Sequence, residues 1–170
     1  MKYWIIAFVL ISSLAFQITA QTELRCSIEA NLIDTDVNGT NVRTGAGKNF
    51  AIIGSLPNST DVVWIMASNG PWVKINKAVN QDDDVLFDDE GWVFASLLGM
   101  MIARNPDDKK GQQVLYSEPR KKSRVLARLS AESSVTLVGC SGDWAHVKYH
   151  GTTGWLAPEA QCVNTKSTCS

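Results

Sequence analysis

The sequence predicts an all-β protein, two tandem small barrels behind a cleaved export signal. Three observations predict it. The N-terminus is a short apolar run, the rest of the chain repeats itself at a displacement of 73 residues, and the repeated segments are short, β-branched and bounded by turn residues.

The export signal comes first. Lys2 supplies a positive start, Trp4 to Phe16 is apolar apart from Ser12 and Ser13, and Ile18-Thr19-Ala20 places a small residue before Gln21. A run this short with no basic stop-transfer flank reads as a cleaved signal over residues 1–20, not as a membrane span. Glu23-Leu24-Arg25 before Cys26 lacks the small residues of a lipidation site. Loss of Lys2 takes the formal net charge from −1 to −2. A mildly acidic chain has no bulk attraction for nucleic acid or for an anionic membrane surface. The expected location is periplasmic or secreted, with no membrane span in the mature chain.

The repeat carries the fold prediction. At a displacement of 73, Asn41-Val42-Arg43-Thr44 falls on Val114-Leu115-Tyr116-Ser117, and Ile52-Ile53-Gly54-Ser55-Leu56 on Val125-Leu126-Ala127-Arg128-Leu129. In the same frame Asp61-Val62-Val63-Trp64-Ile65 falls on Ser134-Val135-Thr136-Leu137-Val138. With one residue lost in a turn, Trp72-Val73-Lys74-Ile75 meets Trp144-Ala145-His146-Val147, and Gly91-Trp92-Val93 then meets Gly154-Trp155-Leu156. Each segment is too short and too rich in β-branched and aromatic residues for a helix. Ser68-Asn69-Gly70-Pro71 and Ser141-Gly142-Asp143 supply turn chemistry between strands. Closure into barrels removes the exposed edges such strands would otherwise present. Two units of roughly 50–60 residues lie near the lower size limit for an independent core. The stretch from Ala95 to Ala103 is too apolar for a free linker, which predicts partial burial between the units. The organisation read from this is a signal over 1–20, a first unit over 21–104, a linker over 105–111 and a second unit over 112–170.

Asn41-Val42-Arg43-Thr44-Gly45-Ala46-Gly47, Ile52-Ile53-Gly54-Ser55-Leu56, Trp72 and Gly91-Trp92-Val93 together resemble bacterial SH3 domains over residues 38–98. The second unit resembles a diverged member over 112–162. It keeps Trp144, Gly154 and Trp155 but opens on Leu115-Tyr116-Ser117-Glu118-Pro119, without the arginine and both glycines. The resemblance implies SH3-like barrels that act as targeting or binding modules, often toward peptidoglycan or cell-wall peptides. The two repeats take up the chain, so no accompanying hydrolase domain is expected. The candidate ligand-binding residues are Trp72, Trp92, Trp144 and Trp155, read as core or groove-floor rings, with Tyr149 and Arg43. Tyr149 and His146 are expected nearer the surface.

The repeats differ most at an insertion before the first closing Gly-Trp. It holds Asp82, Asp83, Asp84, Asp88, Asp89 and Glu90 around Val85-Leu86-Phe87. The simple reading is a solvated loop. The functional reading is a negative prong with an apolar tip that includes Phe87, suited to a basic protein partner. An exported inhibitor or immunity protein is therefore the alternative to wall binding.

Four cysteines behind a signal favour disulfides. Of three connectivities, Cys140–Cys162 with Cys26–Cys169 is the expected one. Cys140 with His146 or His150 is the one set that suggests a cysteine hydrolase, and a disulfide or core role suits it better. Asp34-Thr35-Asp36-Val37-Asn38-Gly39 copies half of a calcium loop, but Gly45 stands where a bidentate glutamate is needed. No cofactor, metal or catalytic residue is expected, and the chain reads as a non-enzyme. Asn38-Gly39-Thr40 and Asn58-Ser59-Thr60 match a glycosylation pattern that matters only in a eukaryotic secretory pathway.

Overall fold

The computed structural model describes residues 22–163. The signal over 1–20 and Cys169 lie outside the described residues. Within them the chain forms β1 (Leu24–Leu32), β2 (Thr40–Arg43), β3 (Ile52–Leu56), β4 (Thr60–Asn69), β5 (Trp72–Asn80), β6 (Val85–Phe87), β7 (Gly91–Phe94) and β8 (Leu98–Ile102). A second series follows: β9 (Gln113–Tyr116), β10 (Val125–Leu129), β11 (Ser134–Ser141), β12 (Trp144–Tyr149), β13 (Thr152–Leu156) and β14 (Gln161–Cys162). Single 3-10 turns at Ala95–Leu97 and Pro158–Ala160 precede β8 and β14.

The strands join in one antiparallel sheet, ordered β10-β9-β13-β12-β11-β8-β1-β4-β5-β7-β2-β3, with β14 beside β8 and β6 beside β5. The repeat is visible in that order. β3-β2-β7-β5-β4 and β10-β9-β13-β12-β11 are the same arrangement read from opposite ends. Equivalent positions fill equivalent interiors: Val42 and Leu115, Leu56 and Leu129, Val62 and Val135, Ile75 and Val147, Val93 and Leu156 are all buried. Full burial of an aliphatic side chain of this size contributes ~1.5–3 kcal/mol.

The closing Gly-Trp motif has a packing reason. Gly91 lies opposite Ile75, and Gly154 opposite Val147. A methyl group on Gly91 would overlap Val42 Cγ1, and one on Gly154 would lie 2.7 Å from Leu115 Cγ. The large core residue of each unit's β2 or β9 strand therefore requires a residue without a side chain on the strand beside it.

The units meet at β8. Along one edge β8 pairs with β1 (Asn31 with Gly99, Leu32 with Leu98) and with β14 (Cys162 with Met101, Gln161 with Ile102). Along the other it pairs with β11 (Thr136 with Gly99, Val135 with Met100, Ser134 with Met101). β8 thus stands to β11 as β1 stands to β4, and β14 stands to β8 as β8 stands to β1. The flanking bonds repeat as well: Ile33 N–H donates to Leu97 O at 2.9 Å and Ala103 N–H to Ala160 O at 3.0 Å. One strand ends the first unit and begins the second. The apolar stretch read as a half-buried connection is this strand, with Leu98, Met100 and Ile102 buried.

The cysteine pairing differs from the expected one. Cys26 on β1 is bonded to Cys140 on β11, with Cα atoms 5.8 Å apart, and Cys162 is disulfide-bonded as well. The register explains why Cys140–Cys162 does not form. Met101 on β8 faces both Cys162 and Ser134, and Cys140 lies six residues farther along β11 than Ser134, ~20 Å at the rise of a strand. β1 runs past that far end instead. Ser27 N–H donates to Gly142 O at 2.9 Å and Gly142 N–H to Arg25 O at 2.8 Å. The Ser68 hydroxyl donates to Cys140 O at 2.7 Å in a buried setting. The first unit's opening strand is therefore fastened to the second unit.

Two predictions follow from these contacts. Gly91→Ala and Gly154→Ala should each destabilise by ~1–3 kcal/mol through overpacking, read from the midpoint of urea unfolding. Replacing Cys26 and Cys140 together by alanine should cost ~3–5 kcal/mol, because the bridge closes a long loop. An equally stable double variant in the same assay would deny the clasp its role.

Candidate ligand-binding face

Paired residues in antiparallel strands share a face, so the register gives the outer surface of each unit directly. In the second unit Val125, Tyr116, Trp155 and His146 face one another in turn across β10, β9, β13 and β12. His146 stacks on Trp155 with ring centroids 4.5 Å apart, and Trp144 meets the edge of Tyr116 at 5.6 Å. All four rings are partly exposed. Burial lowers the pKa of His146 below its ordinary 6.5, so the ring is neutral at pH 7 and stacks as an uncharged aromatic.

The same row in the first unit reads Ile52, Arg43, Trp92 and Lys74. Here Trp92 is only 6% exposed and Trp72 8%, Trp72 packing edge-on against Phe94 at 5.4 Å. Lys74 is paired with Glu90 at 2.5 Å. Arg43 donates from one guanidinium nitrogen to Lys48 O at 3.1 Å and Phe50 O at 2.8 Å, holding the loop between β2 and β3. In the first row the tryptophan is covered and both cations are engaged, although Ile52 is exposed; in the second the rings are partly open.

The two loops at the ends of these rows have the same backbone. Thr44 N–H to Ala51 O, Gly47 N–H to Gly45 O and Phe50 N–H to Gly47 O recur as Ser117 to Arg124, Arg120 to Glu118 and Ser123 to Arg120. What holds them differs. In the second loop the Ser123 hydroxyl donates to Glu118 O at 3.1 Å and accepts from Glu118 N–H at 3.2 Å. This loop is fastened from within, and position 116, where Arg43 stands in the first unit, carries a ring. Tyr116 was not among the candidates read from the sequence. Its signal was available, since it stands in the repeat frame where Arg43 stands.

The remaining candidates fall elsewhere. Tyr149 does not join the aromatic row: it packs against the core, and hydrogen bonding to Ser133 lowers its pKa. In the acidic insertion Val85 is exposed, but Phe87 does not stand at a free tip. Val85–Phe87 is β6, lying along β5, and Phe87 packs inward against the core, near Gly54 and Gly91. Asn80 organises the turn before it, accepting from the N–H groups of Asp82 and Asp84 at 2.9 Å. Asp82, Asp83, Asp84, Asp88 and Asp89 are exposed around it, while Glu90 is held by Lys74. The Asp34 loop is closed on itself: Asp34 accepts from the Thr40 hydroxyl at 2.5 Å and from Asp36 N–H at 3.1 Å, and the Thr40 bond lowers its pKa. Cys140 is buried in a disulfide and offers no thiol to His146 or His150.

The sequence model of the bacterial SH3 domain matches residues 38–99 and 114–163. The chain belongs to the bacterial SH3 domain family. Two SH3 copies thus account for the repeat, the first with the fuller opening motif and the second with Tyr116 in place of its arginine. No curated protein matches the chain. Among solved structures it is similar to NlpC2 of Trichomonas vaginalis, at 16% identity and a TM-score of 0.33 over 83% of this chain and 48% of that one. It is similar to NlpC1 of the same organism at 15% identity and a TM-score of 0.33, over 84% and 46%. The chain spans about half the length of these structures.

The second SH3 copy makes stability depend on pH through His146. Its folded pKa is lowered, so the unfolded chain binds the proton more readily and the contribution of neutral His146 is full above pH 6.5. That contribution is lost as pH falls from 6.5 through the lowered folded value. Urea unfolding at pH 7.5 and pH 5.5 should therefore show a drop that His146→Gln reduces; an unchanged drop would assign the effect to other groups.

Proposed function

We propose that the protein is an exported, non-enzymatic binding module, each SH3 copy closing as a small barrel, that recognises peptidoglycan or cell-wall peptides. The observation that carries this reading is the open aromatic row of Tyr116, Trp155 and His146 with Trp144 beside it. Partly exposed rings on a rigid sheet give large contact area at little conformational cost. Family membership supports the wall as the target. Export is supported by the N-terminal signal pattern and by a disulfide, which persists in oxidising compartments. The inward packing of Phe87 and the Lys74–Glu90 pair leave the acidic insertion less suited to be the main contact.

Incubation of mature protein with insoluble sacculi, followed by sedimentation, tests the reading. Wild type should pellet, and Trp144→Ala and Trp155→Ala should each weaken retention about tenfold or more, as truncation of an aromatic anchor does. Protein that stays in the supernatant would sink wall binding. A zymogram on cell-wall substrate should show no clearing, and clearing would overturn the non-enzymatic reading.

A further inference from the structure

The loop between β9 and β10 carries a charge pattern that the first copy lacks. Arg120, Lys121, Lys122 and Arg124 stand where Gly47, Lys48, Asn49 and Ala51 stand in the other loop. The backbone hydrogen bonds of the two loops are the same, so this change is in side chains alone. All four basic residues are exposed. Arg120 pairs with Glu118 at 2.7 Å and Lys121 with Glu159 at 2.8 Å, both in solvent, where such pairs are held weakly and exchange easily. Among the described residues Lys122 and Arg124 form no ion pair.

The basic loop borders the aromatic row. Its first and last residues, Ser117 and Arg124, directly follow Tyr116 and precede Val125, which are paired members of that row. Lys121 lies within electrostatic reach of the Tyr116 phenol and of Glu159. The second copy thus sets cations at the end of a stripe of partly exposed rings. In the first copy the corresponding arginine is turned onto its own loop and the corresponding tryptophan is covered. An acidic chain that gathers four cations in one loop has concentrated its attraction for anions at one place.

We propose that the β9–β10 loop and the aromatic row form one binding face for a carboxylate-bearing wall polymer, peptidoglycan with free stem-peptide carboxylates. The rings contact the uncharged part of the polymer, Lys122 and Arg124 take the carboxylates, and the first copy serves as a brace. This assignment rests on the wall-binding reading above and adds the chemistry by which the wall is recognised.

The test is sedimentation with purified peptidoglycan stripped of phosphate polymers. The full mature chain is compared with Lys122→Gln/Arg124→Gln and with Lys48→Gln, the control in the first copy's loop. The double variant should bind about fivefold to tenfold more weakly, the range for two exposed charge contacts, and Lys48→Gln should bind as wild type. Wild-type binding should weaken with added salt, and capping the carboxylates with glycinamide should weaken it as the double variant does. Thermal melting confirms that the exposed substitutions leave the fold intact. If wild type fails to bind peptidoglycan, both readings fall. If it binds but the double variant binds equally and salt has no effect, wall binding stands and the cationic assignment is overturned. Tighter binding to phosphate-rich wall polymer, or to single-stranded DNA, which also suits rings beside cations, would likewise overturn it.

Discussion

The structure depends on a single strand serving two units. β8 is paired along both edges, with β1 and β14 on one side and β11 on the other. Removing it would unpair the end of the first unit and the beginning of the second together. Units of this size bury too little surface to be securely stable alone, and a shared strand lets each contribute to the other's core. Met100 is 2% exposed and Leu98 and Ile102 fully buried, so the join between the units is interior. The Cys26–Cys140 bridge acts on the same junction from the far end of β1. Asn31 adds a polar tie, donating to Asp61 O at 2.9 Å and to Val163 O at 2.8 Å.

This arrangement explains which parts of the fold were legible in the sequence. The five matched segments became β2, β3, β4, β5 and β7 and their counterparts, because equivalent core positions need similar apolar residues and equivalent turns need Gly or Asn. β1 was not read, since Leu24-Arg25-Cys26-Ser27-Ile28-Glu29-Ala30-Asn31-Leu32 shares no motif with Leu98-Gly99-Met100-Met101-Ile102. Their structural equivalence rests on backbone pairing, which leaves little trace in side chains. The apolarity of Ala95 to Ala103 announced burial, but a strand belonging to both repeats cannot appear in a comparison that treats the repeats as separate. The cysteine error has the same origin. Without β1 beside β11, nothing in the sequence brings Cys26 near Cys140.

The candidate site was legible in part, and the reason lies in what a repeat reveals. Matching positions mark the scaffold, so Trp72, Trp92, Trp144 and Trp155 stood out as a set. The set then divides by surroundings, with the first pair covered and the second partly open. That division comes from residues that do not match: Tyr116 against Arg43, His146 against Lys74, Ser123 against Phe50. Phe50 illustrates the logic. Its ring lies over Gly45, where any side chain would collide with it, and the second loop gives up both residues for Glu118 and Ser123. Each substitution alone is unremarkable.

Taken together, these differences show how one backbone supports two different surfaces. A guanidinium anchored on loop carbonyls and an aromatic ring cannot occupy the same position, so a unit that keeps the arginine keeps its loop fastened from outside. The second loop is held instead by the Ser123 hydroxyl on the Glu118 backbone, with the same pattern of backbone hydrogen bonds. The position beside the closing tryptophan then becomes free to vary. A single SH3 copy would have to choose between the two arrangements. A tandem joined through β8 holds both, with a closed unit bracing an open one.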